Sequence, residues 1–158
     1  MDFFQGAVET YLRADRATFI NPEFYLQRAV KYENGKQNWY VDILCVNFRE
    51  QIVHLCEVTY ARQPRALGNR LRSWAENWEI VKAAVHRDAK VPEDWTIRVW
   101  VFCPEDLLKK VVPLIPNFDP PALITTLEMV VPWRYSDWNR VGEKAELKHS
   151  DIPEHMKR

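Results

Sequence analysis

Apolar and polar residues recur along the chain with two periods, and these predict helices and strands in a definite order. Residues 2–16 carry apolar side chains every three to four positions and predict an amphipathic helix. Three later segments, rich in β-branched and aromatic residues, predict strands: 24–32, 39–47 and 52–60. Asn34-Gly35 is a strong hairpin signal between the first two, and a polar turn at 48–51 separates the second from the third.

The middle of the chain predicts a crossover connection. Pro64 suits the first turn of a helix, and an apolar stripe with spacings of four and three follows at Leu67, Leu71, Trp74, Trp78, Val81 and Val85. Pro92 ends this helix, and residues 96–103 predict a buried strand. Because strand, helix and strand form a right-handed crossover unit, we expect the fourth strand to run parallel to the third. A short helix at 105–112 and a fifth strand at 125–131 complete the pattern.

These elements predict an α/β fold of three layers, with a mixed sheet of about five strands in sequential order. The second strand should be antiparallel to the rest. A length of 158 residues fits one domain with a proper core. We expect this domain to occupy residues 1–135 and a charged tail to occupy residues 136–158.

Composition restricts the class of protein. Hydrophobic residues make up 47% of the chain and aromatic residues 13%, so folding needs no disulfide or metal. With 22 basic and 22 acidic residues, the chain has no net charge. It is therefore a poor candidate for a protein that coats nucleic-acid phosphates without specificity. Three irregularly spaced cysteines favour a reducing compartment. The first residues lack a secretory signal pattern, and no apolar run approaches the roughly 20 residues of a membrane span. We therefore expect a cytoplasmic protein that does not enter a membrane.

Two acidic residues on neighbouring predicted strands are the main candidates for chemistry. If Arg49 and Glu50 are the central residues of their turn, paired positions sum to 99, so Asp42 and Glu57 become cross-strand neighbours with Cβ atoms about 5 Å apart. A slip of one residue would separate them. Two close carboxylates repel each other unless a positive group lies between them. A hard divalent cation is one solution, and ion pairs with a nearby arginine are the other: Arg28, Arg62 or Arg65.

The predicted order of elements over about residues 2–103 resembles the core of the PD-(D/E)XK nuclease superfamily, the restriction-endonuclease-like fold. In that family an acidic residue on the second strand and an acid-x-lysine on the third bind magnesium. The matching segments are Val41-Asp42-Ile43-Leu44 and Cys56-Glu57-Val58-Thr59-Tyr60. The resemblance implies that Asp42 and Glu57 bind Mg²⁺ or Mn²⁺. It also implies that Glu9 is the extra acidic residue that some branches, including junction resolvases, place on the first helix.

The chain departs from the family at Thr59, which stands in place of the lysine. That lysine helps to position and polarise the attacking water, whereas a threonine offers only a hydrogen bond. Either another cation has replaced it, for which Arg62 and Arg65 are nearest in sequence, or hydrolysis has been lost. Segment 61–90 holds seven basic and three acidic residues, a net charge of +4. It could hold a nucleic-acid backbone or be an ordinary solvated helix face.

Two function hypotheses follow. The resemblance implies a metal-dependent nuclease acting on DNA phosphodiester bonds, with catalytic residues Asp42, Glu57, Glu9 and Thr59 and with Arg62 and Arg65 on the phosphate. The alternative is a catalytically inactive module with the same scaffold, which binds nucleic acid or protein and could form a homodimer. A zinc site at Cys45, His54 and Cys56 is a weaker possibility, because buried strand cysteines are usually ordinary core residues.

Overall fold

A computed structural model describes residues 2–28, 38–131 and 152–157 of the chain. The first helix, α1, spans Phe3–Arg13. Asp2 caps it, because its side chain accepts the backbone N–H of Gln5 at 2.8 Å. Val8 and Leu12 lie on one face of α1 and are fully buried, which agrees with the predicted amphipathic helix.

Five strands form one sheet in the order of the sequence: β1 (Thr18–Leu26), β2 (Trp39–Asn47), β3 (Ile52–Val58), β4 (Thr96–Cys103) and β5 (Leu123–Thr126). The strands β1, β2 and β3 pair in antiparallel fashion, whereas β3, β4 and β5 are parallel. The prediction of an α/β fold with a mixed, sequentially ordered sheet is therefore confirmed. The second strand is antiparallel to the other four, as expected.

The register of β2 on β3 is the predicted one. The pairs run from Asn47 with Ile52 to Ile43 with Cys56, and each pair of residue numbers sums to 99. Continued by one residue, this register places Asp42 opposite Glu57. The turn at Arg49-Glu50 is held by Asn47, whose side-chain oxygen accepts both backbone N–H groups of these residues at 3.0 Å.

The first strand lies earlier in the chain than predicted. Asn21-Pro22, a dipeptide that is typical of turns and loops, lies inside β1. Proline is tolerated there because β1 is at the edge of the sheet, where one side of the strand needs no ladder hydrogen bond. The predicted turn at Asn34-Gly35 lies outside the described residues.

The long crossover helix is divided into two. Helix α2 spans Arg65–Glu76 and helix α3 spans Trp78–Ala89. Asn77 joins them with a non-helical backbone (φ −126°, ψ 28°). The apolar stripe continues across this joint, so the sequence pattern alone did not show the break. Helix α4 is short (Leu108–Val111) and is flanked by 3₁₀ turns at Glu105–Leu107 and Val112–Leu114.

Helices cover both faces of the sheet. On one face α1 packs over Ile43, Cys45, Cys56, Trp100 and Phe102. On the other face α2 and α3 pack over a larger cluster that includes Leu44, Leu55, Val99 and Ile124. Ile152 and Met156 belong to this larger cluster, so residues 152–157 of the predicted tail contribute to the core. None of the helices in the described ranges has the length and apolar character needed to traverse a lipid bilayer.

Candidate functional site

One guanidinium nitrogen lies between the two candidate carboxylates. Arg70 Nη1 is 2.6 Å from Glu57 Oε2 and 3.2 Å from Asp42 Oδ1. The pair predicted from the register is thus brought together, and the group between its members is an arginine of α2. Glu57 is 1% exposed, and the side chains of Asp42 and Arg70 are partly buried. Such charge-assisted hydrogen bonds in a poorly solvated place are stronger than neutral ones.

Hydrogen bonds to the backbone fix the second oxygen of Asp42. Its Oδ2 accepts the N–H of Val58 at 2.8 Å, across the antiparallel pair of β2 and β3. The side chain therefore closes the end of the β2–β3 ladder. Glu57 is less well satisfied, because its buried Oε1 has no well-formed hydrogen bond among the described residues.

Burial of Glu57 changes its protonation. Loss of solvation raises the pKa of Glu57 well above its usual range, and the neighbouring charge of Asp42 raises it further. Arg70 lowers this pKa by its charge and hydrogen bond, but only in part. Burial opposes the charge of Arg70, but the two carboxylates outweigh it and raise the pKa of the guanidinium. Arg70 therefore stays charged, while Glu57 holds a proton to a higher pH than an ordinary carboxyl.

The position of Arg70 follows from the helix that carries it. Arg70 comes three residues after Leu67 and four before Trp74, and both of these apolar side chains are buried on the sheet side of α2. Residues with these spacings share one helix face. Arg70 is therefore aimed at the sheet, and its guanidinium also lies 5.7 Å from the ring centre of Tyr40 on β2.

Glu9 is near the pair but is not part of it. Its side chain is almost fully buried and contacts Gln5 Nε2 at 3.5 Å and Arg13 Nη2 at 3.6 Å. Gln5 Nε2 also lies 3.5 Å from the backbone oxygen of Asp42. Gln5 thus connects the first helix to β2, and the Glu9 carboxylate is held by residues of its own helix.

Within the described part of the chain, the other predicted site residues make no ion pair or side-chain hydrogen bond with the two acids. Thr59 is buried just beyond β3, where its N–H donates to Phe102 O at 2.9 Å. Arg62 and Arg65 are exposed. Among the described residues, neither makes an ion pair with Asp42, Glu57 or any other acid. The arginine that pairs with the two acids is thus neither of the two that are nearest in sequence, and the predicted contact of Arg62 and Arg65 with a phosphate stays a prediction.

Sequence reasoning missed Arg70, although a signal for it exists. Arg70 lies beside the apolar stripe of the crossover helix, three residues after Leu67 and four before Trp74, which are both buried. A cation on the inner face of a helix needs an acidic partner on the element beneath it. Glu57, an acid within an apolar strand, needs a cation for the same reason.

The residues at this site do not fit a divalent metal ion. Arg70 Nη1 occupies the space between Oδ1 of Asp42 and Oε2 of Glu57, where a shared cation would have to lie. Within residues 2–28, 38–131 and 152–157, no three His, Cys, Asp or Glu side chains are grouped so that they could hold a metal. The weaker zinc hypothesis fails by the same criterion, although Cys45 and His54 are cross-strand neighbours as predicted.

Comparisons with known proteins identify no family for the chain. No protein-family model matches it, and a search of curated proteins finds no similar sequence.

Proposed function

We propose that this chain is a nuclease-like domain without catalytic activity, which binds a nucleic-acid backbone and does not cleave it. One observation carries the proposal: a single nitrogen of Arg70 contacts both Asp42 and Glu57, the two residues that the resemblance assigns to the metal. Arg70 then takes the position that the resemblance assigns to the metal ion. The acids then stabilise the fold instead of activating water.

The arrangement of elements supports the nuclease-like part of the proposal. Helix α1, the antiparallel strands β1 to β3, the crossover through α2 and α3 and the parallel strand β4 follow each other in the order that the resemblance implies. Asp42 and Glu57 lie on the two strands that carry the acids in that family. The resemblance concerns topology and two acidic positions, and Thr59 remains a departure from it.

Loss of hydrolysis is supported by the chemistry of the substituting group. A metal ion can lower the pKa of a bound water and polarise a phosphate, whereas a guanidinium can only donate hydrogen bonds and supply positive charge. Arg70 already directs its Nη1 at two carboxylates. In addition, a buried Glu57 with a raised pKa is a poor ligand for a hard cation, because such a ligand must be deprotonated.

A set of exposed basic side chains on and beside α2 can receive phosphates. We name Arg62, Arg65, Arg72 and Lys110 the basic stripe. The three arginines and Lys110 are exposed, and none of them makes an ion pair within the described residues. Lys110 Nζ lies 3.1 Å from the backbone oxygen of Arg62. Arg65 and Arg72 are seven residues apart on α2 and so share a helix side about 10 Å apart. Free basic side chains of this kind bind the backbone without reading its sequence.

The first experiment separates binding from cleavage. The wild-type chain is incubated with labelled duplex, single-stranded and branched DNA in Mg²⁺ or Mn²⁺, and Mn²⁺ binding is measured by calorimetry. We expect no cleavage and no stoichiometric metal binding. Metal-dependent cleavage that is lost in Asp42→Ala would instead support an active nuclease and overturn the proposal.

The second experiment tests the surface. Fluorescence anisotropy measures DNA affinity for wild type, for Arg65→Glu/Arg72→Glu and for Arg16→Glu, a control at an exposed arginine between α1 and β1. We expect the double variant to weaken binding by at least about tenfold, because each lost phosphate contact removes a favourable charge interaction. The control should bind like wild type. Equal affinities of the two variants would refute the basic stripe as the binding surface.

A further inference from the structure

An apolar groove opens at the end of the sheet where the parallel strands finish. Its volume is about 830 Å³. The segments that follow β3, β4 and β5 line one side, and the N-terminal half of α1 lines the other. Most of the lining is apolar, as shown by Phe4, Ala7, Tyr60, Leu107, Leu127 and Val131.

Aromatic rings remain exposed along this groove. Phe3 is 83% exposed, Tyr60 is 49% exposed and Phe4 is 36% exposed. The three rings form one cluster, since the ring centres of Phe3 and Phe4 are 5.5 Å apart and those of Phe4 and Tyr60 are 4.7 Å apart. A contiguous exposed aromatic surface is typical of a protein–protein interface, in which aromatic residues are enriched.

The groove also carries charges of both signs. Arg62, Asp106 and Glu128 line it. Glu128 Oε2 accepts the N–H of Glu105 at 3.0 Å, whereas neither Arg62 nor Asp106 makes an ion pair with a described residue. A partner that satisfies these two unpaired charges therefore has an apolar centre with one basic and one acidic group beside it. The patch itself carries such a pair of groups.

We infer that the groove is the contact surface for a second copy of this chain, arranged about a twofold axis. A twofold contact joins the same patch on both subunits, so the patch must be complementary to itself. Phe3 of each copy protrudes and fits into the groove of the other copy. Arg62 of each copy meets Asp106 of the other, so that the contact contains two equivalent ion pairs.

The self-complementary composition favours a second copy over a small ligand or an unrelated protein. A small apolar molecule would fill the groove but would leave Arg62 and Asp106 unpaired. An acidic partner would satisfy Arg62 alone, and a basic partner would satisfy Asp106 and Glu128 but leave Arg62 unpaired. Arg62 also belongs to the basic stripe, so these tests are carried out without nucleic acid, and the DNA-binding tests rest on Arg65 and Arg72, which lie outside the groove.

The first test measures the association of the full chain by sedimentation equilibrium. We expect wild type to form dimers, and we expect Phe3→Asp to raise the dimer dissociation constant by at least about 30-fold, as for a central interface residue. Phe19→Asp is the matched control, because Phe19 is 64% exposed on β1 and lies outside the groove. Circular dichroism verifies that both variants are folded. A wild-type chain that stays monomeric up to about 100 µM, or equal dimerisation of the two variants, would overturn the inference.

The second test uses charge reversal to verify the twofold pairing. Arg62→Glu alone places two acids opposite each other in each contact, and Asp106→Arg alone places two bases opposite each other. We expect each variant to be monomeric by itself and an equimolar mixture to form heterodimers, because both contacts are then again between opposite charges. A mixture that associates no better than the separate variants would exclude the proposed pairing.

Discussion

Arg70 Nη1 lies 2.6 Å from Oε2 of the buried Glu57. This contact determines the character of the whole site. Glu57 is fully buried in the middle layer of the fold and has Asp42 as its neighbour. Without Arg70, two carboxylates would face each other with no positive group between them. The guanidinium of Arg70 therefore offsets the repulsion between the two carboxylates.

Removal of the guanidinium should destabilise the fold. In Arg70→Met the buried carboxylates lose their counter-charge. We expect the free energy of unfolding to fall by about 2–4 kcal/mol. The loss is smaller than for a fully buried ion pair, because Arg70 is partly exposed. Urea denaturation measures this loss. Arg72→Met, two residues further along the same helix and exposed, is the control and should change stability by less than about 0.5 kcal/mol. Equal effects of the two substitutions would show that the Arg70 contacts contribute nothing specific.

The raised pKa of Glu57 predicts a dependence of stability on pH. The folded chain binds this proton more tightly than the unfolded chain, whose glutamate has a pKa near 4.5. The contribution is therefore fully present below that value and is lost as the pH rises through the raised folded pKa. Glu57→Gln removes the titration, so its advantage in stability over wild type should grow with pH.

Denaturation of wild type and Glu57→Gln at a series of pH values from 4 upward (about one pH unit apart) would measure this difference. Glu76→Gln, at an exposed position of α2, serves as the control and should follow the wild-type curve. A constant difference between Glu57→Gln and wild type at all pH values would contradict a proton held by Glu57.

The sequence was sufficient for the register and for the acidic pair. The turn at Arg49-Glu50 determines which residues of β2 and β3 are opposite, and a shift by one residue would no longer set Asp42 opposite Glu57. The ends of β2 and β4 were also predicted correctly, because Asn47 closes the apolar run of β2 and Pro104 follows the apolar run of β4.

The sequence was not sufficient for features that depend on which residues become neighbours in the folded chain. Arg70 was overlooked in favour of Arg62 and Arg65, because distance along the chain does not show which helix face meets the sheet. The start of β1 was missed because Pro22 is acceptable only on an edge strand, and the edge is known only when the whole sheet is assembled. The break at Asn77 left the apolar spacing intact and so gave no signal.

Binding through the basic stripe should weaken as the salt concentration rises, with a slope that reflects the number of phosphate contacts. Each phosphate contact releases counterions, so removal of one contact lowers the slope of log affinity against log salt concentration by about one. We expect Arg65→Ala and Arg72→Ala each to reduce the slope by this amount. Arg16→Ala, the control, should leave it unchanged. Titrations of a labelled duplex at several salt concentrations provide the slopes, and a wild-type slope near zero would speak against binding to the backbone.

An ion pair between the buried Asp15 and the exposed Arg49, at the other end of the sheet, should stabilise the register that brings the acids together. Asp15 is 3% exposed and accepts from Arg49 Nη1 at 3.0 Å, from Asn47 Nδ2 at 3.2 Å and from the N–H of Ala17 at 3.0 Å. Arg49 and Asn47 belong to the turn between β2 and β3. Asp15→Ala leaves these donors without their acceptor, and we expect it to cost about 2–4 kcal/mol of unfolding free energy.

The exposed Asp94, which makes no contact of this kind within the described residues, provides the control. Asp94→Ala should change the free energy of unfolding by less than about 0.5 kcal/mol in the same urea titration. Hydrogen exchange adds a local measurement, because loss of the Asp15 contacts should accelerate exchange at Arg49 and Glu50, whose N–H groups bond to Asn47. Unchanged exchange at these two amides in Asp15→Ala would mean that the turn is held without Asp15. The register of Asp42 on Glu57 would then depend on the core packing of β2 and β3 alone.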